Sequence, residues 1–288
     1  MSKKNECLKL NKEELEKLHS NLLLLLKEFD RICRKHNIKY YLSDGTLLGA
    51  VRHKGFVPWD DDIDVQMSRS EYERFCEVCK EELDKSKFFF QNQETDKHYN
   101  WVYGKLRLKN TTYMRVGQEH LKQDSGIFMD IFPLDNISDN KFTQYYFEVM
   151  CKMCRKIFWA PVGCVVKEHF YSRLFFKLLC FIPRKLTIRV FEFFAKFYQN
   201  KETDLFAYYN LDYLRNERQV LKKEWYKKSI TMEFEGYEFF VPEAYDEILT
   251  VTYGDYMKLP PEDKRGSTSP ASYIKFLDGT EVKLEREL

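Results

Sequence analysis

The residues best suited to chemistry gather in Trp59-Asp60-Asp61-Asp62-Ile63-Asp64-Val65. On a strand, residues two apart face the same way, so Asp62 and Asp64 present their carboxylates side by side while Ile63 and Val65 turn to the core. Two such carboxylates repel each other unless a cation or a shared proton neutralises them, and hard oxygen donors suit Mg²⁺ or Mn²⁺. A solvated acidic turn is the plain alternative, and the apolar neighbours argue against it. A third acid, Asp130, sits between Met129 and Ile131 in a separate apolar run. Alone it is either a hydrogen-bonded core group or a functional one. Three acids on two strands could hold one or two divalent ions, which orient phosphates and stabilise attacking and leaving oxygens. Asp130 could instead take a proton as general base, and the pattern does not separate the two roles. Ser43-Asp44-Gly45-Thr46, its Thr46 lying 16 residues before Asp62, is a turn ahead of a helix start. There, free N–H groups and the helix dipole favour phosphate. Lys105 and Arg107, two apart on a strand, share a face that either clamps a diphosphate or stands in solvent.

These groups need elements to position them. Leu15, Leu18, Leu22, Leu25, Leu26, Phe29, Ile32 and Cys33 recur at helical spacing, predicting a helix over 12–36 with Asn11 as N-cap. A short strand over 38–42, the turn, and a short helix over 46–52 starting just after Gly45 follow. Alternation predicts a strand over 62–67, a helix over 68–85 and strands within 88–91, 100–114 and 126–135, the last ended by Pro133. Residues 139–223 read as helical, divided by Pro161 and Pro183. A β-hairpin over 231–241 turns at Glu235-Gly236, and a helix runs over 242–252. The expected class is α+β, a mixed sheet flanked by helices with a mostly helical insertion. Its parts are an N-terminal helix (1–37), a catalytic core (38–138), a helical insertion (139–223) and a C-terminal segment (224–288) that completes the core.

Apolar residues make up 44% of the 288, charged residues 32% and aromatics 16%, a globular mixture that excludes disordered and collagen-like chains. Because 47 basic residues meet 45 acidic ones for a net charge of +2, no global field points to nucleic acid. The apolar runs Leu22 to Leu26 and Leu178 to Ile182 fall far short of the ~20 residues that span a bilayer. With no apolar leader after Met1-Ser-Lys-Lys, a cytoplasmic location is expected. Eight cysteines should then stay reduced. Cys76-Glu-Val-Cys79 and Cys151-Lys-Met-Cys154 are formally enough for a Cys₄ zinc site, but their helical setting favours small core-facing residues. Residues 151–200 hold ten Lys/Arg against Glu168 and Glu192, interleaved with aromatics. This composition suits peripheral attachment to the inner face of a membrane, with an ordinary helical subdomain as the alternative.

A Gly-Thr turn followed by an Asp-x-Asp strand resembles the signature of the nucleotidyltransferase fold. The longer stretch from Leu42 to Val65, LSDGTLLGAVRHKGFVPWDDDIDV, resembles the central motif of the LicD/fukutin-related family within that superfamily. KLRLKNT from Lys105, FMDIFPLD from Phe128 and YGDYMKLPPEDKR from Tyr253 resemble later blocks in the same order, so the likeness covers roughly residues 15–265. Many relatives continue with a histidine-containing stretch, which Gly266 to Tyr273 lacks. The resemblance implies a nucleotidyltransferase-like sheet and a CDP-alcohol donor, CDP-choline first, whose phosphoalcohol passes to a sugar hydroxyl of teichoic acid, lipopolysaccharide or a related glycan with release of CMP. Transfer of phosphoribitol or phosphoglycerol, nucleotidyl transfer releasing pyrophosphate, and a catalytically silent binding protein are the alternatives. It further implies that Asp62, Asp64 and Asp130 hold Mg²⁺ or Mn²⁺, and that Asp44, Gly45, Thr46, Arg52, His53, Lys105 and Arg107 face the donor. Trp59, Asp60, Asp61, Lys264 and Arg265 are weaker candidates.

Overall fold

In the structure, a computed structural model that describes residues 7–209, 220–262, 265 and 269–284, helix α1 (Lys12–Lys35) forms where the leucine spacing predicts it. A capping box starts it: Glu14 N–H donates to Asn11 Oδ1 (3.0 Å) and Asn11 N–H donates to Glu14 Oε2 (2.8 Å). Its apolar stripe, Leu15 through Cys33, is buried on the sheet.

The elements continue as β1 (Tyr41–Leu42), α2 (Asp44–His53), β2 (Asp64–Ser68), α3 (Arg69–Glu82), β3 (Phe88–Gln91), β4 (Gly104–Leu108), β5 (Thr112–Arg115) and β6 (Ile127–Ile137). The sheet order is β1-β2-β6-β4-β3. β2 runs parallel to β6, and the remaining neighbours in that order are antiparallel. Helices α4 (Lys141–Val166), α5 (Phe170–Leu179) and α6 (Arg184–Lys196) follow, and then β7 (Leu205–Ala207) and β8 (Val220–Lys222) return to the far end of β6. β9 (Ser229–Phe234) and β10 (Tyr237–Pro242) form the expected hairpin. Its turn residues Glu235 and Gly236 both lie in the left-handed region (φ 51° and 76°). Helix α7 (Tyr245–Tyr253) precedes β11 (Ala271–Lys275), which pairs with β5 and with β12 (Glu281–Lys283). The class is α+β with a mixed sheet, as expected.

Several boundaries differ from the sequence reading. α2 begins at Asp44 rather than after Gly45, with Asp44 itself at φ 47°. β2 begins at Asp64, leaving Asp62 in the loop before it. β6 runs through Pro133 instead of ending there. Asp130 N–H donates to Ile63 O on the β2 side (2.9 Å), so by alternation the missing N–H of Pro133 faces the β4 side. There β4 pairing has already stopped, at Gly104 opposite Ile131. Pro161 lies inside α4 rather than dividing it; packing against α5 and α6 carries the helix past the lost bond. The region read as helical to 223 turns to strand at Leu205, while 210–219 lie outside the described residues.

Two apolar cores result, one under the sheet and one joining α4, α6 and β7. Cys79 packs in the first, Cys151 and Cys154 in the second, and none of these three is in a disulfide. The two C-x-x-C pairs are thus small residues of separate cores.

Candidate active site

Strand register builds the centre of the site. Asp64 on β2 pairs with Asp130 on β6, which pairs with Lys105 on β4, so the three stand in one row across the sheet. The loop that carries Asp62 is held from several sides. Asp64 N–H donates to Thr46 Oγ1 (2.9 Å), and Ser43 N–H donates to Asp64 O (3.1 Å). His19, stacked on Phe56 at 3.8 Å, donates from Nε2 to the Asp60 carbonyl (2.7 Å). Tyr113, itself bonded to Ser269 (2.7 Å), donates its hydroxyl to Asp61. Gly45 leaves room for this loop: a Cβ there would meet Asp60 Oδ2 at 2.5 Å, and the Asp60 carboxylate would have to swing aside. Thr46 and Gly45 therefore shape the acidic loop from within.

The electrostatics are unbalanced. Burial, then Asp61, Asp60 and Asp130, push the Asp62 carboxyl up to about 7, against the pull of Arg115. Burial, then Asp62, Asp130 and Asp44, hold Asp64 well above the carboxylate range despite Lys105. Asp60 is pushed up to about 6 by burial and Asp61, and burial also raises Asp44. Lys105, buried and ion-paired with Asp130, is brought down to about 7 by burial, with Asp130 opposing. Such a cluster of hard oxygens short of positive charge fits a divalent cation. Among the described residues no three His, Cys, Asp or Glu side chains converge as a ready-made cage. Mg²⁺ commonly takes only one or two carboxylates and fills its remaining positions with water and substrate phosphates. Asp62 and Asp64 meet that requirement, while Asp130 is engaged by Lys105.

A stability consequence follows. Groups with raised folded pKa bind more protons folded than unfolded between their two pKa values, so they stabilise the fold at low pH and lose that contribution as pH rises. For Asp62 the window runs from 3.8 to about 7. The metal-free protein is expected to melt at lower temperature at pH 7.5 than at pH 5. Asp62→Asn should flatten that slope in calorimetric scans; an equally steep slope in the variant would show that the cluster is not its source.

Beside the row lies a cationic pocket lined by Trp101, Lys105, Arg107, Arg115, Gln118 and Phe128. Three cations surround the Phe128 ring: Lys105 Nζ at 3.4 Å, Arg107 at 5.0 Å and Arg115 at 5.0 Å from its centroid. Arg107 is occupied, donating to Gln91 Oε1 (2.6 Å) and to the Gly126 carbonyl (2.5 Å). Arg115 is different: its Nε is buried without a hydrogen-bond partner, and among the described residues the contact of its guanidinium is with the Phe128 ring. Burial opposes its charge, but Asp130, Tyr103, Tyr113 and Asp62 together raise its pKa. The sequence reading passed over Arg115. The signal was its place two residues beyond Tyr113 at the end of an apolar strand, which leaves β11 to fix it by pairing Ala271 opposite. Tyr253 was also missed: it is 41% exposed at the edge of the cluster, and partial burial, together with Asp44, Asp60, Asp64 and Asp62, which stand near enough to help, pushes its hydroxyl up.

Of the other candidates, Arg52 stands near enough to Asp60 for its charge to oppose that carboxyl's upward shift. Arg52 donates to the Tyr256 carbonyl (2.8 Å) and to His53 Nε2 (2.9 Å), joining α2 to the segment after α7. Burial and Arg52 lower the His53 pKa. Trp59 is half-buried against the main core, 6.5 Å from the His53 ring. Arg265 donates to the Pro260 carbonyl (2.7 Å), and Lys264 lies outside the described residues.

The family described as LicD/FKTN/FKRP, nucleotidyltransferase domain, matches residues 37–162. A lipopolysaccharide cholinephosphotransferase, LicD, of Haemophilus influenzae is 36% identical over 255 residues, covering 84% of this chain and 90% of that protein. An uncharacterized protein of Rickettsia typhi is 41% identical over 63 residues, 22% of this chain and 20% of its own length. A second one, from Rickettsia prowazekii, is 32% identical over 99 residues, 25% of this chain and 37% of its own.

Proposed function

This chain belongs to the LicD family, and from that membership we propose that it transfers phosphocholine from CDP-choline to a sugar hydroxyl of a cell-surface glycan, releasing CMP. Similarity along nearly the whole length of a lipopolysaccharide cholinephosphotransferase supports a glycan acceptor. The observation that carries the reading is the adjacency of the Asp62–Asp64–Asp130 carboxylates to a cationic pocket with an arginine whose Nε has no hydrogen-bond partner.

In this reading the acceptor oxygen attacks the phosphorus that bears choline, and the bond from that phosphorus to the CMP oxygen breaks. Asp130 takes the acceptor's proton, with Lys105 beside it to balance the change in charge. Arg115 meets the negative charge of the donor diphosphate, for which its Nε–H is a free donor. Asp62 and Asp64 would hold Mg²⁺ or Mn²⁺, which when bound supplies Lewis-acid polarisation of the phosphoryl oxygens. Thr46, His19 and Tyr113 keep the acidic loop in position.

The test is CMP release from CDP-choline by the purified protein with Mg²⁺ or Mn²⁺ and a glycolipid extract, with CDP-ribitol, CDP-glycerol and CDP-ethanolamine in parallel. CMP as product supports the reading, whereas pyrophosphate from a nucleoside triphosphate would replace it with nucleotidyl transfer. In the same assay Arg115→Ala is expected to raise the donor KM roughly tenfold or more, the value of a charge-assisted contact, with a smaller change in kcat. An unchanged KM would remove Arg115 from the donor site.

A further inference from the structure

We infer that the outer face of α5 and the turn after it form a docking surface for an anionic lipid bilayer. Phe170, Tyr171, Phe175, Leu178 and Phe181 are 70, 83, 48, 59 and 83% exposed there. With about 150–250 Å² for each aromatic side chain, that leaves several hundred Å² of apolar surface, at the upper end for a monomer. The opposite side of α5 is firmly seated. Phe176 packs edge-on to Trp159 at 5.1 Å, and Gly163 of α4 lets the helices close so tightly that a Cβ there would meet the Phe176 ring at 2.7 Å. The exposed aromatics are therefore held outward by a packed helix.

Charge selects the occupant. Arg173 and Lys177 flank the aromatics, are exposed, and have no acidic partner among the described residues. Of the ten basic side chains of residues 151–200, Arg155 and Lys196 are taken up by Glu148 and Glu73, while Arg173 and Lys177 lie on this face. A second copy of this chain seated symmetrically on the face would set these charges against their like. Anionic headgroups complement them, and the aromatics suit the boundary between headgroups and acyl chains. No helix among the described residues is long and apolar enough to cross a membrane, so α5 would lie in the plane of the surface. Arg184 takes no part, since it donates to the Lys97 and Tyr99 carbonyls. The inference stands apart from the proposed reaction.

Flotation with vesicles of phosphatidylcholine alone, or with one-third phosphatidylglycerol, tests it on the full chain. The wild type should float with the anionic vesicles only, and less as salt is raised. Arg173→Gln/Lys177→Gln is expected to weaken binding roughly 30-fold. Phe170→Ser/Tyr171→Ser/Phe181→Ser, checked for an unchanged melting curve, should abolish it. Three results would overturn the inference: no flotation of the wild type, flotation of both variants equal to that of the wild type, or a wild-type dimer that the aromatic variant converts to monomer.

Discussion

Asp62→Ala/Asp64→Ala is expected to lower CMP release from CDP-choline by about 10³-fold or more, the scale of losing the principal electrostatic stabilisation of a phosphoryl-transfer transition state. Its folding behaviour should move the other way. In the wild type, burial and neighbouring acids push Asp62 up to about 7 and Asp64 well above its ordinary range, so removing both relieves repulsion that the fold otherwise has to overcome. At pH 7.5 without divalent cation the double variant should melt at the same temperature as the wild type or higher. Added Mg²⁺ or Mn²⁺ should stabilise the wild type and leave the variant unchanged, because a ligand stabilises only the state that binds it. Loss of activity together with loss of stability would indicate ordinary damage to the sheet. Retained activity would remove both carboxylates from the mechanism.

The second large effect concerns the clamp that keeps Asp64 opposite Asp130. Arg69, which opens α3 directly after β2, makes two parallel hydrogen bonds to Asp135 on β6, at 2.7 and 2.8 Å. The carboxylate is 1% exposed and the guanidinium side chain 9%. A buried pair of this kind contributes modestly against well-packed apolar replacements, but removing one partner leaves an uncompensated charge in the interior. Asp135→Ala is expected to destabilise the protein by about 3–5 kcal/mol, read as a lower urea midpoint at similar slope. Arg69→Met/Asp135→Leu, which removes both charges, should recover most of that loss. A single variant as stable as the wild type would show that the chain does not depend on this pair to join β2 to β6.

Arg69 and Asp135 also mark where the sequence stops being legible. The periodicities of α1, α3 and β2 and the Glu235-Gly236 turn are local, set within a few residues by side-chain spacing and backbone preference, and the chain announces them directly. The same holds for the acid alternation of Asp62 and Asp64 flanked by Ile63 and Val65, which marks them directly as candidates. The extended motif from Leu42 to Val65 was enough to point to the family. What the spacing did not contain is which residues from distant segments meet. For Lys105 the spacing left a diphosphate clamp and a solvated strand face open; the β4–β6 register buries it against Asp130, where an unpaired lysine would cost more than the ion pair does. Pro133 read as a strand end, yet β6 continues because its missing N–H falls where no strand needs it. Arg115 went unnoticed because the setting of its guanidinium is defined by Phe128, Tyr113 and the returning strand β11, which lie 13, 2 and more than 150 residues away along the chain. Local patterning determined the elements and the acidic loop. Tertiary structure alone decided which charges are paired and which are left free, because pairing depends on register and burial between segments, and neither is encoded at any single position.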